Sequence, residues 1–465
     1  MGILAGFMVP HPPMIVPDVG RGSESKIIET IAAYERVAKE ISDLTPDTII
    51  ITSPHTTMYS NYFHISPGNK AKGDFGNFRA SRVKFEELYD FELVNFLSDI
   101  AFDIGFPAGI EGEREPELDH GTMVPLHFIR KFYKEGKIVR IGLSGLSLLD
   151  HYQLGMYINQ TVEALGRRAV FVASGDLSHK LQEYGPYGFA PEGPVYDERI
   201  MDVAGRAAFG EMLEFDEDFC DKAAECGHRS FVIMAGAFDG KDVEAKVLSH
   251  QDVTGVGYGI ATFYPKGENP DRCFLDKKVK ELEEAASKSD GYVKLARASL
   301  ESYIRDGKKL KVPNDIPDSI LSELPKEIFE KQAGAFVSIH KNGELRGCIG
   351  TISPAKSSIA EEIVDNAISA STRDPRFDAI TEDELKFLEI NVDILGEPED
   401  IESKKQLDVK RYGVIVSCGY KRGLLLPDLE GVDDVDTQIS IAMRKGGIKP
   451  TDNYKLQRFE VVRHT

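Results

Sequence analysis

The chain has 465 residues, 42% of them hydrophobic and 28% charged, with a net charge of −20. That acidity excludes non-specific nucleic-acid binding, which needs a basic surface, and no apolar run reaches the roughly 18–20 residues of a membrane span. Five cysteines without paired spacing, and an N-terminus "MGILAGFMVPHPP" lacking the basic region of a signal peptide, point to a cytoplasmic protein of two or three domains.

In chain order, "GILAGFMV" reads as a strand, "SKIIETIAAYERVAKEIS" as a helix and "TIIITS" as a strand. Later come the helical "VPLHFIRKFYKE", the strand "KIVRIGLS", the helical "YQLGMYINQTVEALG" and the strand "AVFVAS". Such alternation predicts an α/β domain, a central sheet with helices on both faces. "GVGYGIATFYP" closes it as a strand, because no helix follows its glycines as a dinucleotide loop requires. The polar stretch 265–274, "PKGENPDRCF", marks a boundary, which gives a domain over 1–267, a linker and helix over 268–289 and a second domain over 290–465. In the second domain, "GAFVSIHKNGELRGCIGT" is a hairpin turning at Asn342-Gly343 and "VIVSCGYKRGLLLP" is another. With the helical "IAEEIVDNAISAS" and the strand "LEINVDIL" between them, this part reads as a smaller α+β domain.

Three apolar runs end in histidine: His11 after "ILAGFMVP", His55 after "DTIIITSP" and His179 after "AVFVASGDLS". Ligands of open α/β sheets bind beyond the carboxyl ends of the strands, and neutral imidazoles there can converge on a metal. Each histidine taken alone is more often structural, and only the joint pattern favours a site. The anionic ligand is expected from "AAECGHRSF", at Glu225 or its neighbour Cys226, with Glu225 favoured. Two histidines and a carboxylate form the facial triad of non-haem Fe(II) oxygen chemistry. His228 could share the helical face of Glu225 and compete with it. His120, where a loop meets a helix, is a further candidate for the pocket. Asp176 either fixes the His179 tautomer as an acceptor or simply forms the turn. In the second domain Cys348, between glycines and near Arg346, is either a nucleophile or a small buried residue. Arg373 in "STRDPRF" either binds an anion or braces its loop.

"VPHPP", "SPHTT", "DHGTMVPL", "SGDLSHK" and "ECGHRSF", in that order across about residues 1–265, resemble the class III extradiol ring-cleavage dioxygenases and their Memo-like relatives. The resemblance implies Fe(II), or another divalent metal, on His11, His55 and Glu225, with His179 and His120 as acid/base groups. It also implies an aromatic substrate and O₂ as partners. In Memo-like proteins the position near 225–226 is a cysteine, and both residues stand here. "LRGCIGT", "STRDPRF" and "YKLQRFEVV" resemble the AMMECR domain. The fusion order resembles the AmmeMemoRadiSam system, which implies a radical-SAM partner protein. A homo-oligomer is left open. The alternatives to a dioxygenase are a Memo-like metal-binding or adaptor protein without ring cleavage, and a metal-dependent hydrolase acting through metal-bound water.

Overall fold

The structure, a computed structural model, describes residues 2–429 and 431–465. The chain divides into two compact units, Met1–Lys278 and Val279–Thr465.

The first unit is built on a six-stranded sheet. Its strands run, from one edge, Lys137–Gly142, Thr48–Ser53, Ala169–Ser174, Ile3–Val9, Tyr258–Glu268 and Lys241–Gln251. The first four are parallel and the last two antiparallel. The four parallel strands are buried almost throughout, as strands covered on both faces must be, hence their unbroken apolar runs. Ala5, Phe7, Val9, Ile49, Ile51, Val170 and Val172 share one core with the helices Ile28–Leu44 and His120–Phe132. On the other face Gly6 meets Phe238 and Met234, beside the helix pair Leu148–Ala164 and His228–Gly236. Those two helices touch through glycine: a Cβ on Gly155 would stand 1.9 Å from the Ile233 carbonyl. The expected α/β layering is the observed one.

Two elements were not read from the sequence, the hairpin Lys70–Phe75/Ala80–Leu88 and the strand Lys241–Gln251, although Val243, Ala245 and Val247 of the latter alternate with charged residues. The 265–274 stretch is a correction. Its first residues still pair with Lys241–Val243, and Asp239 accepts the Phe274 N–H, so the boundary is fastened to the first unit. The two units part within the helix Phe274–Lys288.

The second unit has an antiparallel sheet in the order Glu344–Gly350, Ala335–Lys341, Leu388–Leu395, Lys455–His464, Tyr412–Cys418, Lys421–Leu425. The helices Gly291–Asp306 and Ile359–Thr372 pack with its first strands, and Val435–Lys445 with its last. Asn342 and Gly343 both have positive φ (55° and 83°), the backbone demanded by the tight hairpin turn read from the Asn-Gly pair. Among the described residues, no helix is long and apolar enough to cross a membrane.

Candidate metal centre

The strands Ile3–Val9, Thr48–Ser53 and Ala169–Ser174 lie side by side, so the residues just past their ends meet beyond one edge of the sheet. His11 Nε2 stands 3.0 Å from His55 Nε2, and Cys226 Sγ lies 3.6 Å from His11 Nε2. Asp176 and His179 form a second close group with the same Cys226. The His120 ring stacks on His55 at 4.0 Å between centroids and meets His11 edge-on at 5.4 Å.

Several of these side chains are held by hydrogen bonds behind them. Ser174 Oγ donates its single proton to the Gly121 carbonyl at 2.6 Å, so at 2.9 Å it can only accept from His11 Nδ1–H. This fixes the tautomer of His11 and leaves the Nε2 lone pair facing His55. Asp176 Oδ1 accepts the His11 backbone N–H at 2.7 Å. Asp119 caps the helix opened by His120 and accepts from Ser53 Oγ at 2.6 Å, which ties the end of the His55 strand to that helix. Arg140, fully buried in the middle of its strand, donates to the Glu115 and Glu117 carbonyls and holds the loop that leads into His120. Ser174, Asp119 and Arg140 were missed from sequence. The lone arginine inside the apolar "KIVRIGLS" was the readable signal, since a buried charge must have partners.

Burial dominates the electrostatics. It holds His11 well below its ordinary pKa, aided by His55, His120 and His179. It lowers His55 as well, against Asp119, and takes His120 and His179 each down to about 4. The imidazoles are therefore neutral at pH 7, the form that offers lone pairs. Asp176 is pushed up to about 7 by burial.

The favoured third ligand changes, and two alternatives left open narrow. Cys226, not Glu225, joins His11 and His55. Glu225 turns to the start of the next helix, where its carboxylate accepts the His228 N–H at 2.5 Å, and burial raises it to about 7. The cause is backbone contact: a Cβ on Gly175 would stand 2.0 Å from the Gly227 Cα, and this approach sets Cys226 beside Asp176. The Asp176 N–H accordingly donates to Cys226 Sγ at 3.3 Å. Second, Asp176 bonds the His11 backbone instead of fixing the His179 ring, whose Nε2 is buried without a hydrogen-bond partner. Third, His228 does not compete as a ligand, because its ring nitrogens meet the Met212 carbonyl and the Tyr196 hydroxyl.

The donor set fits a metal ion. Two nitrogens each about 2.1 Å from one ion and at right angles would lie about 3 Å apart, close to the spacing of His11 and His55. A thiolate with two imidazoles suits Fe(II), Zn(II) or copper better than Mg(II) or Ca(II).

In the second unit the expected trio separates. Arg346 is drawn off by Glu384, which accepts from Nε and Nη2 at 3.0 Å each. Arg373 is exposed at the end of its helix. Cys348 faces a cavity of about 710 Å³. A bulge explains the parting: Ile339 pairs with Gly347 and His340 with Leu345, so Arg346 is the extra residue and Leu345, Cys348 and Gly350 share the cavity side. The crowding falls on the glycines, since a Cβ on Gly347 would stand 2.1 Å from the Ala370 carbonyl.

Comparison with known proteins agrees with this architecture. The family described as the catalytic LigB subunit of aromatic ring-opening dioxygenase matches residues 5–261, and the AMMECR1 family matches 293–464. The chain belongs to the LigB family, joined to an AMMECR1 domain. A protein of Clostridium acetobutylicum is 40% identical over all of this chain and 99% of its own length. A Thermotoga maritima protein is 49% identical over 37% of this chain and 96% of its own. An uncharacterized Pyrococcus horikoshii protein of solved structure shares 29% identity over 38% of this chain and 89% of its own, with a TM-score of 0.34. The LigB unit thus carries the histidine cluster, and the AMMECR1 unit the Cys348 cavity.

Proposed function

We propose that the LigB unit is an Fe(II)-dependent oxidoreductase of the dioxygenase type, acting on a small catecholic substrate. His11, His55 and Cys226 would hold the iron, which when bound supplies a site for the substrate oxygens and O₂. The observation that carries the reading is His179 Nε2, buried beside the cluster without a hydrogen-bond partner. An orphaned buried nitrogen costs about 1–3 kcal/mol, and a site retains such a cost where a ligand completes the bond. Neutral at pH 7, His179 can take the proton of a substrate hydroxyl at Nε2, and Tyr187, stacked on it at 5.0 Å, limits its rotation. His120 is neutral as well, so it could donate to a departing oxygen only after it had itself taken up a proton.

Cys226 favours a second reading, a Memo-like metal-binding protein without ring cleavage, because a cysteine stands beside the two histidines where the facial triad needs a carboxylate, and its thiol, held neutral by burial, would have to lose its proton to a metal. Anaerobic purification with metal analysis, followed by O₂ uptake against a panel of catechols, separates the two. Stoichiometric iron with catechol-dependent uptake is expected. Stoichiometric metal without uptake on any catechol would favour the second reading. A radical-SAM partner rests on the fusion order alone, and co-purification tests it.

A further inference from the structure

The cavity of the AMMECR1 unit has two kinds of wall. Phe336, Leu345, Ile352, Leu424, Leu426 and Leu429 supply its apolar lining. Arg376, Arg422, Lys445 and Arg463 bring four cations to the lining, against one carboxylate, Asp393, among the described residues. In a chain of net charge −20 this is a local reversal of sign.

Two of the cations are braced. Asp374 accepts from Arg376 Nε at 2.9 Å and Nη2 at 2.7 Å, and Asp393 accepts from Arg463 Nε at 2.8 Å and Nη2 at 3.2 Å. Each bidentate pair fixes its guanidinium plane and leaves Nη1 free to donate, so both arginines are oriented before any ligand arrives. Arg422 and Lys445 have no acidic partner among the described residues, so their charge is uncompensated. Cys348 Sγ, which accepts the Ser338 hydroxyl at 3.2 Å, opens onto the same space.

We propose that this cavity binds a small organic oxyanion, a carboxylate or phosphate carried on an apolar body, with the Cys348 thiol beside the bound molecule. The volume lies within the roughly 300–1,000 Å³ of small-molecule sites, which combine apolar walls with a few placed polar groups. A bare inorganic anion would leave the apolar wall uncovered, and a neutral molecule would leave the cations unanswered.

The test titrates the full chain with hexanoate, hexyl phosphate and 1-hexanol by ligand-observed NMR, beside the double variant Arg422→Gln/Lys445→Gln. At least one anion should bind where hexanol does not, and the double variant should lose about tenfold or more in affinity. Preference for hexyl phosphate identifies a phosphate ligand, and preference for hexanoate a carboxylate. Binding of neither anion, equal binding of hexanol, or an unchanged double variant would overturn the proposal. Alkylation of Cys348 by iodoacetamide, followed by peptide mass spectrometry, locates the ligand and needs only the wild-type chain. The tighter anion should slow that alkylation severalfold, and an unchanged rate at saturating anion would overturn the proposal even if the double variant failed to fold.

Discussion

Gly175 lies against Gly227 so closely that a Cβ on either glycine would collide with its surroundings, at 2.0 Å from the Gly227 Cα in one case and 2.5 Å from the Phe231 ring in the other. This contact sets Cys226 beside Asp176. Gly175→Ala is therefore expected to destabilise the LigB unit by about 1–3 kcal/mol and to weaken metal binding, while Gly267→Ala, which meets nothing within 4 Å, changes neither. Thermal unfolding with metal stoichiometry checks both.

Cys226→Ala should abolish stoichiometric metal binding, as should His11→Ala and His55→Ala. Glu225→Gln should keep the metal, because Glu225 serves the start of a helix. Metal analysis of the purified variants decides, and metal lost only from the Glu225 variant would restore the carboxylate as ligand.

His179→Ala should keep the metal and lower any turnover by roughly 10²–10⁴-fold, the range of general acid–base groups. If that variant loses the metal instead, His179 is a ligand through the group it forms with Asp176 and Cys226.

His151 gives a pH signature away from the metal centre. Its ring lies between the Ser147 carbonyl and the Ser144 N–H, and burial lowers its pKa to about 3. A histidine depressed from 6.5 contributes stability fully above pH 6.5 and loses it as pH falls toward 3. By pH 4 the loss is about 3 kcal/mol. Thermal unfolding in chelator should show this fall together with that of the other buried histidines, and His151→Gln should make it shallower by about the share of His151.

Residues 1–288 alone should fold and bind metal, since all three ligands and their supporting bonds lie within them and the first unit has its own core. Residues 289–465 should fold without metal. An insoluble or metal-free N-terminal fragment would show that the division is wrong. A cut at 267 would lose the pairing of Glu268 with Lys241 and the Phe274 N–H that Asp239 accepts, and is expected to fare worse.

Much of this was legible in the sequence because the parallel strands are buried on both faces. Their apolar runs are unbroken, so the polar residues released at their ends, His11, His55, Asp176 and His179, stand out. The choice between Glu225 and Cys226 was not legible, because adjacent residues in a turn differ only in direction. That direction is set by a backbone contact between residues 52 positions apart, Gly175 and Gly227. Arg346 and Cys348 looked like neighbours on one strand face for a related reason. Simple alternation places residues two apart on the same side, and a bulge is a property of the pairing, not of the seven residues that contain it.

That bulge makes the two positions before Cys348 unequal before insertion and deletion. A lineage that dropped Arg346 would keep His340 opposite Leu345 and Ile339 opposite Gly347, and the thiol would still look into the cavity. One that dropped Gly347 would shift Arg346 into a slot where even a methyl group meets the Ala370 carbonyl. The hairpin carries side by side a residue that its pairing does not need, tied outward to Glu384, and one whose missing side chain lets the strand lie against its helix.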